Sequence, residues 1–292
     1  MTKKQHPRLP LLHQTFVFWR APVNWYILLL VAAFLSSNWA PLRQVFMKTH
    51  LPANTFGLFA ASFSGSWVLL TYAAGATALL SSVPFVHPIH SLEILRMGQK
   101  RYVTLRLCHI ALISLVYTLL LFVETWLLSG SAFQAIHRWG KVLNAIAAGN
   151  VPADLGIQLH IPLALTQKYT PLQAAGLSGL IFWTIMTSIG SMMFVLSNLV
   201  NHDVAVLLGA LLTMLDLSVE QLGLGYRMYQ FSPWSWARLD LLLDESNPYL
   251  LGYDGTLMQI TIVFFITMLL ALFSGLSHRT LQRWQDPRDQ HE

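Results

Sequence analysis

The sequence predicts an all-α membrane protein: one domain over residues 1–292 with six transmembrane helices. Three observations carry this prediction. First, six apolar stretches recur, clearest over 25–40, 56–80, 103–128, 172–199, 204–219 and 257–276. A helix rises about 1.5 Å per residue, so about 20 apolar residues cover a hydrocarbon core of roughly 30 Å. Second, 54% of the 292 residues are hydrophobic and 11% are charged, against about 25% charged in soluble domains. Third, little chain is left between the stretches. The longest such segment, 129–170, is too short for an independent soluble domain. Inside lipid the backbone finds no water, so each stretch must satisfy its own N–H and C=O groups as a helix.

The charge pattern orients the chain. Eleven of its eighteen Lys and Arg residues fall on one side: the N-terminus, the connection between the second and third spans, and the C-terminus. Basic residues gather on the cytoplasmic side, so both termini are expected in the cytoplasm of a multi-pass cell-membrane protein. The formal net charge of +5 therefore reports topology, not a nucleic-acid partner. Trp25, Tyr26 and Tyr102 are expected at the inner interface, and Trp39, Trp126, Trp234, Trp236 and Tyr253 at the outer one. Trp67 and Trp183 are read as packing residues. The single cysteine, Cys108, forms no internal disulfide. No cleavable signal peptide is evident.

Along the chain, Leu9, Leu12, Phe16 and Trp19 form a helical stripe flanked by Arg8 and Arg20. That predicts an interfacial helix within 1–22, with Pro22 at the bend into the first span, 24–41. The second span is expected over 56–83; Ser62, Ser64, Gly65 and Ser66 make its outer half small and polar, fit for close packing or for lining a path. A connection at 87–101 follows. Its middle, 91–97, reads as a short helix capped by Ser91, with Glu93 in its first turn and Gly98 at its end. The third span is expected over 102–128. In the extracytoplasmic segment 129–170, Phe133, Ile136, Trp139 or Gly140, Leu143 and Ile146 predict an amphipathic helix ending near Gly149. An ordered loop with Pro152, Gly156 and Pro162 comes next. Thr170-Pro171 opens the fourth span, 171–199, as cap and first helical position. The four-residue link 200–203 forces an antiparallel hairpin with the fifth span, 203–221. Within 222–255, Ser232-Pro233 predicts a helix carrying Trp236, Leu239 and Leu243 on one face. The last span is 256–277.

Chemical motifs are sparse. Gly140-Lys141 is followed by Val142, where a P-loop needs Ser or Thr for Mg²⁺, so this chain is not expected to hydrolyse ATP itself. No His-Glu-x-x-His zinc motif occurs, and no metal ligands are assigned. Gly176-Leu177-Ser178-Gly179 resembles the Gly-x-Ser-Gly motif of rhomboid intramembrane proteases. Ser178 would need a His base, and neither His109 nor His278 is placed to reach it. Small residues for close helix packing are the stronger reading there. Acids inside spans are costly and often functional. Glu124, Asp216 and Glu220 are read as interfacial, bonded or snorkelling side chains, or as a polar lining near the outer mouth of a substrate path.

The order of parts resembles the permease subunits of ABC-2 type transporters: an interfacial helix, six spans, a cytoplasmic helix between the second and third spans, and membrane-dipping helices before the last. Ser91-Leu92-Glu93-Ile94-Leu95, then Arg101-Tyr102-Val103, match the family's pattern leading into the third span. The residues before it, His87-Pro88-Ile89-His90, depart from the family's usual acid and glycine. The resemblance implies that Leu92, Glu93, Leu95, Arg96 and Arg101 meet a separate ATPase subunit, which binds ATP and Mg²⁺, while this chain holds no cofactor. It also implies a second permease chain, identical or related, and transport in the export direction. An intramembrane protease and a non-transporting scaffold or sensor partner are the alternatives.

Overall fold

The computed structural model of the protein describes residues 9–49, 54–83, 98–129, 138–149, 161–223, 226–243 and 252–276. All regular structure among them is helical. Five helices are long and apolar enough to cross a membrane, and a sixth crossing is reached if one sharply bent pair counts as one.

Helix α1, Leu9–Arg20, turns at Ala21 into α2, Pro22–Thr49. α2 runs eight residues past its expected end, straight through Pro41. Pro41 removes one backbone donor, but Leu28, Val31, Leu35, Trp39, Leu42 and Phe46 continue as one buried stripe at helical spacing. Packing along that stripe outweighs the proline.

The second expected span is broken. α3, Thr55–Ser62, and α4, Ser66–Ser81, meet at 83°. Serines compete with the helical ladder through their own side chains, and here Ser62 Oγ donates to Phe59 O. The ladder ends at Ser64 N–H to Ala61 O and resumes at Leu69 N–H to Gly65 O. Asn54 caps α3 by accepting from Gly57 N–H. All of α3 but Phe56 is buried, because it tucks between α5, Gln99–Ser129, and α8, Pro171–Leu199.

Where an amphipathic helix through Phe133, Ile136, Trp139 or Gly140, Leu143 and Ile146 is expected, the helix α6 begins only at Gly140 and ends at Ala147; Arg138 and Trp139 before it are not helical, and Phe133 and Ile136 lie outside the described residues. Leu143 of α6 is buried, and Trp139 Nε1 donates to Tyr169 O. The expected loop before the fourth span contains a short helix, α7, Leu163–Lys168, started by Pro162. α8 begins as expected, with Thr170 and Gln173 forming a reciprocal capping box and Pro171 at the first position. Asn201 caps α9, His202–Leu222, which returns beside α8 and α4. Gly223, at φ 62°, ends α9 in the left-handed conformation that glycine adopts without steric cost. The single helix expected from Ser232 is instead two 3₁₀ turns, Tyr226–Phe231 and Trp234–Ala237, followed by the one-turn α10, Leu239–Leu242. Helix α11, Gly252–Leu276, packs on α8 and α5.

α8 is the axis of the bundle: α3, α4, α5, α9 and α11 all touch it. Glycines mark the tightest crossings. A Cβ on Gly75 would clash with the Tyr117 hydroxyl, and one on Gly190 would stand 2.6 Å from Ile110. Small residues let helices approach where lipid supplies no hydrophobic drive between them. The aromatic assignments divide. Trp25, Tyr26 and Trp126 are exposed, whereas Trp39, Tyr102, Trp234 and Trp236 are buried in the core. Trp67, read as a packing residue, is 46% exposed.

Candidate functional site

The charged side chains converge where the end of α9, the start of α4 and the turns of 226–243 meet. Asp216 and Glu220 stand one helical turn apart on α9 and so share a face. Acids near a helix C-terminus face the negative end of its dipole and call for a cation. Arg238 provides it, from the extended residue between the second 3₁₀ turn and α10. Its Nη1 donates to Ser66 Oγ at 2.6 Å and to Glu220 Oε2 at 3.1 Å, and lies 3.9 Å from Asp216 Oδ2. Its Nη2 and Nε form a fork on Asp240, at 2.8 and 3.3 Å. The Ser66 hydroxyl in turn donates to Glu220 Oε2, and Ser235 Oγ donates to Asp216 Oδ1 at 2.5 Å.

Asp216 is 2% exposed and the Arg238 side chain 9%, while the Glu220 side chain remains 42% exposed. Burial by itself would pull the Arg238 guanidinium down, but Asp240 and then Asp216 more than reverse this and hold it above its ordinary value. The Tyr229 ring lies 5.5 Å from the guanidinium. Burial chiefly pushes the Tyr229 hydroxyl up to about 12, so at neutral pH it is uncharged. Trp234, fully buried, stacks at 5.4 Å on Phe182 of α8 and fixes the segment from below.

Glu124, the third acid expected in a path lining, stands apart from this cluster. It lies within electrostatic reach of Tyr72 and Tyr117. Those hydroxyls donate elsewhere, Tyr117 to Tyr72 O and Tyr72 to Ser62 Oγ. Glu124 Oε2 has no hydrogen-bond partner among the described residues. Of the residues expected to meet an ATPase, Leu92, Glu93, Leu95 and Arg96, with the whole 91–97 helix, lie outside the described residues. Arg101 is described, exposed on the first turns of α5. Nearby on α5 the buried His109 Nδ1 pairs with Thr15 Oγ1 of α1 at 3.2 Å.

The small residues of the protease-like motif do not mark a tight helix crossing: a Cβ on Gly176 would meet no atom within 4 Å. Ser178 is fully buried and donates to Ala174 O. A Cβ on Gly179 would touch Phe59 and Thr118 at ordinary van der Waals distances. His109 is nine residues along α5 from Thr118, about 13 Å away. Gly176 instead borders an apolar groove of about 400 Å³ between α3, α5 and α8, walled by Phe59, Phe122 and Trp183. Among the described residues no His, Cys, Asp and Glu group is arranged to hold a metal ion.

Sequence reasoning named Asp216 and Glu220 but missed Arg238 and Ser66 as their partners, and Asp240 as a further acid on the arginine. The signal was available only in part: the small polar run 62–66 was visible, and it proved to be the break that delivers Ser66. Neither a family model, nor a curated protein, nor a solved structure matches this chain.

Proposed function

We propose that the chain is the membrane-spanning subunit of an ATP-driven transporter of the ABC-2 type, most simply an exporter, working with a separate ATPase and a second permease chain. In this reading the six crossings include the bent α3–α4 pair, and both termini face the cytoplasm. The observation that supports it is that the end of α4 and the inner part of α5, which the 84–97 connection joins in sequence, both pack at the end of the bundle where α1 lies. Ser82, just past α4, donates to Asn24 at the head of α2, and Thr15 of α1 meets His109 of α5. A soluble partner pressing on this connection would push on both helices at once. α4 would carry the push over about 24 Å, at 1.5 Å per residue, to the acid–arginine cluster at the opposite end. The chain supplies no nucleotide site of its own in this mechanism, so the energy enters through the partner.

The test is purification of the tagged chain from its native membrane with any bound ATPase, and measurement of nucleotide turnover. An ABC ATPase should co-purify, and Glu93→Arg should lower the coupled turnover. Unchanged turnover with Glu93→Arg overturns the coupling role; absence of an ATPase overturns the transporter reading.

A further inference from the structure

We infer that the α3–α4 break is a hinge, and that the Ser66 hydroxyl is a tether that sets its angle together with the Tyr72 hydroxyl, which donates to Ser62 across the break. Four observations converge on this.

The helical hydrogen-bond ladder is interrupted at the break. The ladder of α3 stops at Ser64 and that of α4 restarts from Gly65, whose position carries no side-chain cap bond. The first N–H groups of a helix have no partners within it, so no ladder hydrogen bond spans the 83° bend.

The Ser66 tether is detachable without harm to the charges. Arg238 makes all its bonds to other helices through Nη1, while Nη2 and Nε are held by Asp240 two residues away. If Ser66 leaves, Arg238 keeps Glu220 at 3.1 Å and its fork on Asp240. No buried ion is stranded, so the large penalty for breaking a buried pair does not arise. The rest of the cluster stays docked on α9 and α8 through Ser235 to Asp216 and through Trp234 on Phe182.

Where α4 faces α9, it presents small groups, while Gly75 packs closely on Tyr117 and Val31. Thr77 Oγ1 meets Thr213 Oγ1 at 2.8 Å, and Gly209 faces Thr77 and Met193. Finally, the buried Ser64 hydroxyl has no partner among the described residues. An orphaned polar group at this point is costly, and a second arrangement of the break is a means of satisfying it. Phe63, fully buried, with ring centroids 5.1 to 5.3 Å from those of Phe59, Tyr72 and Phe182, is the pivot.

The hinge needs neither ATP nor a partner, so it can be tested on the full chain alone in lipid nanodiscs. In a Cys108→Ser background, spin labels are placed at the exposed positions Ala74 of α4 and Leu180 of α8, and their separation is read by double electron–electron resonance. Ala74 is eight residues from Ser66, about 12 Å, so a 20° change of angle moves it by about 4 Å. Ser66→Ala should shift or broaden the distance distribution by about that amount. Adding Gly65→Ala should narrow it again: Gly65 already has the extended φ of −96° that alanine accepts, and the new Cβ would only touch Val68 at 3.8 Å, so the chain is stiffened without a clash. A distribution unchanged by Ser66→Ala, or one that Gly65→Ala fails to narrow, overturns the hinge. Because no ATPase enters the measurement, that failure is distinct from failure of the transporter reading.

Discussion

The two ends of α4 are held by the same residue type in opposite electrostatic settings. At its start, Ser66 sits among Glu220, Arg238 and, through the arginine, Asp216 and Asp240. At its end, Ser82 donates to the amide of Asn24, whose own Nδ2 donates to Phe18 O. The first end is ionic, and its cost and strength are both large. The second is neutral, and each bond there exchanges one dipole for another. The comparison teaches that the chain fixes one helix end by uncharged hydrogen bonds, Ser82 reaching Asn24 58 residues away, and the other by a charge cluster. Only the ionic end can bind strongly and still release one member, because its ions continue to satisfy one another.

Three substitutions would break or sharpen this contrast. The largest effect belongs to Arg238→Met. It leaves Asp216 buried without its cation, and a loss of about 3–5 kcal/mol is expected, measurable by steric trapping or reversible denaturation in lipid–detergent mixtures. A loss under about 1 kcal/mol would show that the cluster is not the anchor of its end. At the neutral end, Asn24→Ala removes the bond to the Phe18 carbonyl and the acceptor for Ser82, and should cost about 1–3 kcal/mol in the same assay. If it costs as much as Arg238→Met, the two ends do not differ as described. The smallest effect is expected for Glu220→Gln, whose side chain is partly exposed and whose amide can still accept from Ser66. A change of about 0–1 kcal/mol, insensitive to salt after substitution, would confirm that the buried Asp216, and not Glu220, is the costly acid.

Much of the fold was legible in the sequence because solvent, more than any single contact, decides it. Thr170-Pro171 announced the start of α8, and the link 200–203 announced the α8–α9 hairpin, through capping and chain length alone. α2 continues beyond the expected 24–41 to Thr49, through Pro41, because a proline's local cost is smaller than the packing of Trp39, Leu42 and Phe46 around it. Burial does not follow hydrophobicity from helix to helix. The apolar window of α11 is 17% buried and that of α8 is 61% buried, although α11 reads as the greasier helix. In lipid the most apolar faces turn outward, and the serines, threonines and glycines of α8 turn inward to pack and bond.

The residues themselves determined that this chain lies in a membrane, that its backbone there is helical, where most helices begin, and that Asp216 and Glu220 share a face. These follow from hydrocarbon thickness, backbone satisfaction and the 3.6-residue period, which act locally. The bend at 62–66, the burial of Arg238 and its division between Asp240 and three distant partners were decided only by tertiary structure. Such choices depend on which surfaces meet, and a one-dimensional pattern carries no record of that.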